Sequence, residues 1–139
     1  DSLKHSQKTI STDVGKIVYH TYYCEYKLGK SKHPAVFQFS YCDYPAGMEM
    51  TPGLQDSLLT ETIHSSVNNL NGIMIYKDPI QVETSSGYIW RIHYNKGNAV
   101  MKSKAVFRGR RFYIVQVAAL KKNAINDTVT TFLESFHFL

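Results

Sequence analysis

The chain has 139 residues, about one domain's worth, enough to bury roughly two-thirds of its chain surface around a single core. Its net charge of +5 comes from basic residues interleaved with acids such as Glu25, Asp43, Glu61 and Glu83, a scatter that argues against a nucleic-acid partner. No apolar run approaches the roughly 20 residues of a membrane span, and Cys24 and Cys42 are too few for a disulfide scaffold and too far apart for a metal knuckle.

Residues 1–7 are polar and are expected to form a flexible N-terminal segment ahead of a single domain over residues 8–139. The chain starts at Asp1 without a basic and then apolar leader, so a leader is expected to have been removed. Any membrane attachment would come through that leader. Lys8–Thr12 predicts a short first strand. Ile17–Tyr26, dense in Tyr and β-branched residues, predicts a second, with Val18, His20, Tyr22, Cys24 and Tyr26 on one face. Pairing Lys16–Leu28 with His33–Tyr44 about a turn at residues 29–32 brings Ala35, Phe37, Phe39 and Tyr41 onto that same face. Cys24 then lies opposite Phe37 and Cys42 opposite Tyr19, more than roughly 10 Å apart, so both thiols are expected to be free.

Pro45 and Gly47 end the strand, and Thr51-Pro52 supplies an N-cap with proline in the first helical turn. Leu59, Ile63, Val67 and Leu70 recur at helical spacing up to a stop at Asn71-Gly72. Strand composition returns over Ile73–Val82, interrupted by Asp78-Pro79, and over Tyr88–Tyr94 after a turn expected at Thr84–Gly87. The Asn95–Asn98 turn leads into Ala99–Phe107, a turn at Arg108–Arg111 and the strand Phe112–Ala118. Setting Tyr94 opposite Ala99 puts bulky Trp90 across from small Ser103, the size match a close-packed interior needs. After Lys121-Lys122, Ile125, Val129, Phe132, Leu133 and Phe136 mark a second helix. The pattern is α+β, an antiparallel β-sheet with helices packed against it.

Several stretches in this order resemble the PsbP-like family: Gly15 leading into Val18–Tyr26, Phe39-Ser-Tyr-Cys-Asp-Tyr-Pro45, Asn68-Asn-Leu-Asn-Gly72, Phe107–Val117 and Phe132-Leu-Glu-Ser-Phe136. The resemblance spans nearly the whole chain from about Lys8. It implies a central antiparallel sheet between helices, an α/β/α sandwich, in a protein exported to the periplasm or beyond, with a lipid anchor as one form of attachment. It brings no shared catalytic constellation.

No cofactor or metal is expected. His5, His20, His33, His64, His93 and His137 occur singly, with a meeting of His20 and His93 across the sheet the one pairing to look for. Neither cysteine has a histidine in a helix-start context, and no Gly-x-Ser-x-Gly elbow occurs. Asn126-Asp-Thr128 fits a glycosylation sequon. One charged constellation stands out: Arg91 falls opposite Lys102 on the face away from Trp90, with Lys104 two residues along. Like charges so opposed are unfavourable unless water screens them, a helical carboxylate such as Glu61 or Glu134 balances them, or an external anion does. Arg108, Arg110 and Arg111 would extend this basic rim toward a small anionic ligand or a protein partner.

Two functions follow. The first is a non-enzymatic exported domain that binds a protein or ligand at its surface, the helices having filled the space over the sheet. The second is a small-molecule-binding or enzymatic domain with a pocket between curved sheet and helix, lined by Tyr22, Tyr41, Trp90 and Tyr94. A concave cavity of several hundred Å³ separates them.

Overall fold

The computed structural model describes residues 3–12, 15–28, 33–123 and 127–136. The turn expected at residues 29–32, Ile125, the sequon residue Asn126 and His137 lie outside these.

Strands β1 (Lys4–Thr12), β2 (Gly15–Tyr26) and β3 (Ala35–Asp43) precede helix α1 (Pro52–Leu70). Strands β4 (Ile73–Val82), β5 (Ser85–Tyr94), β6 (Ala99–Arg108) and β7 (Arg111–Leu120) follow, then a 3₁₀ turn (Lys121–Asn123) and helix α2 (Asp127–Glu134). All seven strands form one antiparallel sheet in the order β1-β2-β3-β7-β6-β5-β4. The expected registers hold: Cys24 pairs with Phe37, Tyr94 with Ala99, Trp90 with Ser103 and Arg91 with Lys102. Both cysteines are free thiols.

The first strand begins at Lys4, so residues 4–7, assigned above to a flexible segment, take part in the ladder against Tyr23–His20. None of its side chains is buried. Ladder hydrogen bonds hold it, helped by the His5 ring stacked on Tyr22 at 4.3 Å and by Lys4 over Tyr23. β4 runs through Asp78-Pro79 without a break. It is an edge strand, where a missing N–H costs no ladder bond on its open side.

Strand alternation divides the core in two. Ile17, Cys42, Trp90, Ile92, Ala105, Phe107, Phe112 and Ile114 meet Leu59 and Ile63 of α1 on one face. Leu28, Ala35, Phe37, Val115 and Val117 meet Val129 and Leu133 of α2 on the other. Trp90 is fully buried and its Nε1–H has no partner, so its contribution is apolar area and volume.

α1 starts where the sequence places it, with the Thr51 side chain accepting from the Leu54 amide at 3.2 Å. At its end the left-handed residue is Asn71, at φ 49°, and the Gly72 amide donates to Val67 O at 2.9 Å. Gly72 serves close packing instead: a Cβ there would lie 2.5 Å from Ile92 Cγ2. The β4–β5 turn also differs from expectation. Val82 pairs with Ser85, Glu83 takes the positive φ of 58°, and Gly87 lies inside β5, where a Cβ would come within 1.9 Å of Ala105 O.

Gly87→Ala therefore forces β5 and β6 apart and is expected to lower stability by about 2 kcal/mol or more. Gly53→Ala in α1, where a Cβ meets nothing within 4 Å, should raise it by about 0.5 kcal/mol. Urea unfolding of the two variants checks both signs.

Candidate functional site

Beyond the footprint of α1, the face that α1 covers changes character. On β2, β3, β7 and β6 the inward positions become Thr21 paired with Ser40 and, two residues along β3, Gln38 paired with Gln116, which pairs in turn with Ser103. These side chains bond to one another: Thr21 Oγ1 and Ser40 Oγ lie 2.8 Å apart, Gln38 Nε2 donates to Gln116 Oε1 at 2.8 Å, and Gln116 Nε2 donates to Ser103 Oγ at 3.0 Å. Ser40 and Ser103 are buried. These buried and half-buried hydroxyls and carboxamides satisfy one another in two groups, at the cost of the tighter packing that apolar residues would give.

Thr21, Gln38, Ser40 and Gln116 floor a cleft of about 820 Å³ between α1 and the β1-β2-β3-β7 part of the sheet, while Ser103 is fully buried and does not line it. Leu58, Glu61, Thr62, Ser65 and Asn69 of α1 form one wall, and Lys8 and Ile10 of β1 lie on the far side. Ile17, Phe112 and Ile114 add an apolar strip. At one end Tyr19 shares hydrogen bonds with Cys42 and Tyr44. Burial pushes the Tyr19 hydroxyl well above its ordinary range, the Cys42 thiol up to about 11 and the Tyr44 hydroxyl up to about 12. All three are protonated at neutral pH. Tyr19 and Tyr44 line the cleft and offer hydroxyl hydrogens rather than a phenolate base, whereas Cys42 is fully buried and does not line it. Lys8 and Glu61 are the charged side chains among the described residues lining the cleft.

A second groove of about 730 Å³ lies on the other flank of α1, between its first turns and the β4–β5 hairpin. There Tyr88 donates to Asp56 Oδ1 at 2.5 Å, and Lys77 sits over the Tyr88 ring.

The four aromatic residues expected to line one pocket are not brought together. Trp90 and Tyr94 share the α1 face, whereas Tyr22 pairs with Phe39 and Tyr41 with His20 on the opposite face. Trp90 has no exposed surface with which to line anything. His20 of β2 and His93 of β5 are separated by three strands and do not meet. Among the described residues no three His, Cys, Asp or Glu side chains gather as a metal site would require.

The basic rim divides into two places. Arg91, Lys102 and Lys104 lie on the face turned away from α1, and Lys104 Nζ donates to Leu133 O at the end of α2, near Glu134. Arg108, Arg110 and Arg111 surround the β6–β7 turn, where Arg108 lies six residues from Lys102, roughly 20 Å along the strand. There Arg111 grips Asp43 through Nε and a terminal nitrogen, both at 2.8 Å, and Arg110 donates to Tyr44 O at 2.7 Å. The six residues are not one surface.

Comparison with known proteins finds nothing that matches this chain, whether a family model, a curated protein or a solved structure.

Arg111 holds the Asp43 carboxyl below its ordinary range through their hydrogen bonds. A depressed carboxyl stabilises the fold above its unfolded pKa, and the contribution is lost as pH falls through the folded value. Both side chains are nearly half exposed, so the pair is worth no more than about 1 kcal/mol. Asp43→Asn should lower the urea midpoint slightly at pH 7, and its deficit should vanish between about pH 5 and pH 2. The fully buried Cys42 should react with a thiol reagent far more slowly than half-buried Cys24 in the native state, and at the same rate in denaturant.

Proposed function

We propose that this chain is a non-catalytic binding domain that holds a small, uncharged polar molecule in the cleft between α1 and the sheet. The observation that carries this reading is the polar floor itself. Thr21, Gln38, Ser40 and Gln116 occupy inward strand positions on a face otherwise built of Ile, Phe and Trp, where valine or isoleucine would pack better. Hydroxyls and carboxamides both donate and accept, which suits a ligand bearing hydroxyl or amide groups. The apolar strip of Ile17, Phe112 and Ile114 suits one less polar side of it. The volume falls within the range of small-molecule sites.

Binding is favoured over catalysis because, among the described residues, no nucleophile lining the cleft is seen hydrogen-bonded to a base. Its two phenols keep their protons, and among the described residues its lining contains no histidine and one carboxylate, Glu61. The finer assignment belongs to the same proposal: a PsbP-like domain working outside the cytoplasm. One helix on each face of a single antiparallel sheet supports that membership, as does the run of stretches quoted above. A precursor carrying a cleavable leader or a lipobox cysteine would support the compartment.

The test fills the cleft. Ser65 is exposed on the α1 wall, so Ser65→Trp should fold with an unchanged urea midpoint while occupying the ligand's space. Titration calorimetry against mono- and disaccharides, nucleosides and neutral amides should give a saturable isotherm for the parent protein, weakened at least tenfold by Ser65→Trp. A panel with no saturable binder, or a binder indifferent to the substitution, removes the proposal.

A further inference from the structure

The face of the sheet turned away from α1 presents an arrangement that the cleft does not explain. Arg91 and Lys102 are directly paired across β5 and β6, where opposed Cβ atoms lie about 5 Å apart. Both are half-buried, so water screens their repulsion incompletely. No carboxylate balances them: among the described residues the ion pair is Arg111–Asp43, and Glu134 lies beside Lys104. Asp78, opposite Ile89 on the neighbouring strand, forms an ion pair with neither. Lys102 is held below its ordinary pKa by burial and by Arg91.

Arg91 Nε donates to His93 Nε2 at 2.9 Å. A histidine that accepts at Nε2 is neutral and carries its proton on Nδ1, so the ring becomes a further donor. Burial, Arg91 and Lys121 all favour that neutral form. The bond also fixes the plane of the guanidinium and leaves its two terminal amino groups unused by it. The cluster therefore presents a guanidinium fork, an ammonium and an imidazole N–H, with no acceptor among them except the nitrogen already taken.

We propose that Arg91, His93 and Lys102 form a binding site for a phosphoryl dianion on the face opposite the cleft. A dianion with three terminal oxygens can meet the fork and the ammonium together and relieve their repulsion. A single carboxylate brings half the charge, and chloride has no geometry for a fork. The site stands independently of the cleft, because successive side chains on β5 and β6 point to opposite faces.

The experiment is a titration with inorganic phosphate at pH 7.5 and constant ionic strength, followed by thermal unfolding and by the chemical shift of Arg91 Nε–H. In phosphate-free, low-salt buffer Lys102→Gln and Arg91→Gln should melt at or above the parent, since each removes the repulsion. With phosphate the parent should gain stability saturably, and both variants should bind at least tenfold more weakly, the order of one charge-assisted hydrogen bond. A parent gain matched by equal ionic strength of chloride overturns the proposal, as does a Lys102→Gln variant that gains as much as the parent. Cosedimentation with phosphatidate-containing vesicles that phosphate displaces would assign the group to a lipid headgroup. Phosphate binding without cosedimentation would assign it to a soluble phosphorylated molecule.

Discussion

A seven-stranded sheet is too wide for one helix. At about 4.8 Å per gap the strands span roughly 29 Å, whereas a helix with its side chains is about 10 Å across. This chain supplies one helix to each face, so much of each face must remain uncovered, whatever the sequence. The expectation that two helices would fill the space over the sheet fails on that geometry. The residues that the chain places on its uncovered surface decide what that surface could bind. Over β2, β3 and β7 it uses hydroxyls and carboxamides that bond to each other. On the opposite face it uses rings stacked from His5 through Tyr22 and from His20 to Tyr41, with Arg111 over Tyr41. Beyond α2 it places the uncompensated pair of Arg91 and Lys102.

Strand identity, register and the α1 boundaries were legible because each rests on a local signal that tertiary structure reinforces. Alternation fixed which side chains face together, and a slip of one residue would have turned Trp90 outward. The Thr51-Pro52 start states its own chemistry. The polar floor was missed although its signal was present. Gln116 stands within an otherwise apolar Phe112–Ala119, and Gln38 and Ser40 alternate with Phe37, Phe39 and Tyr41. The aromatic parity of these strands is the stronger pattern and masks the polar parity between them. The pocket of Tyr22, Tyr41, Trp90 and Tyr94 failed for a related reason. No sequence rule ties the parity of the β2–β3 hairpin to that of β5–β6, because the two meet only through β7.

Glycine misled twice in the same way. Gly72 and Gly87 both looked like turn residues, yet the left-handed positions went to Asn71 and Glu83. What excludes a side chain at each glycine is a neighbouring strand: Ile92 and the His93 carbonyl for Gly72, the Ala105 carbonyl for Gly87. Close approach is a non-local property that a dipeptide cannot announce. Arg111 illustrates the converse. Read as part of a free basic rim, it is tied to Asp43, sixty-eight positions away, by a pairing that exists only once β3 and β7 are adjacent.

The two proposed sites meet in one strand. On β6, Ser103 faces the polar floor and its neighbours Lys102 and Lys104 face the other way, so a single register decides both. A slip by one residue would bring both lysines beneath α1, among Trp90, Ile92 and Leu59, without a partner, a cost of several kcal/mol for each charge. The fit of Trp90 against Ser103 and of Tyr88 against Ala105 blocks that slip, because only small residues leave room for large rings on β5. The charged pair thus penalises the wrong register while the large and small pairs favour the right one. The same alternation that builds the core puts the two proposed sites on opposite faces.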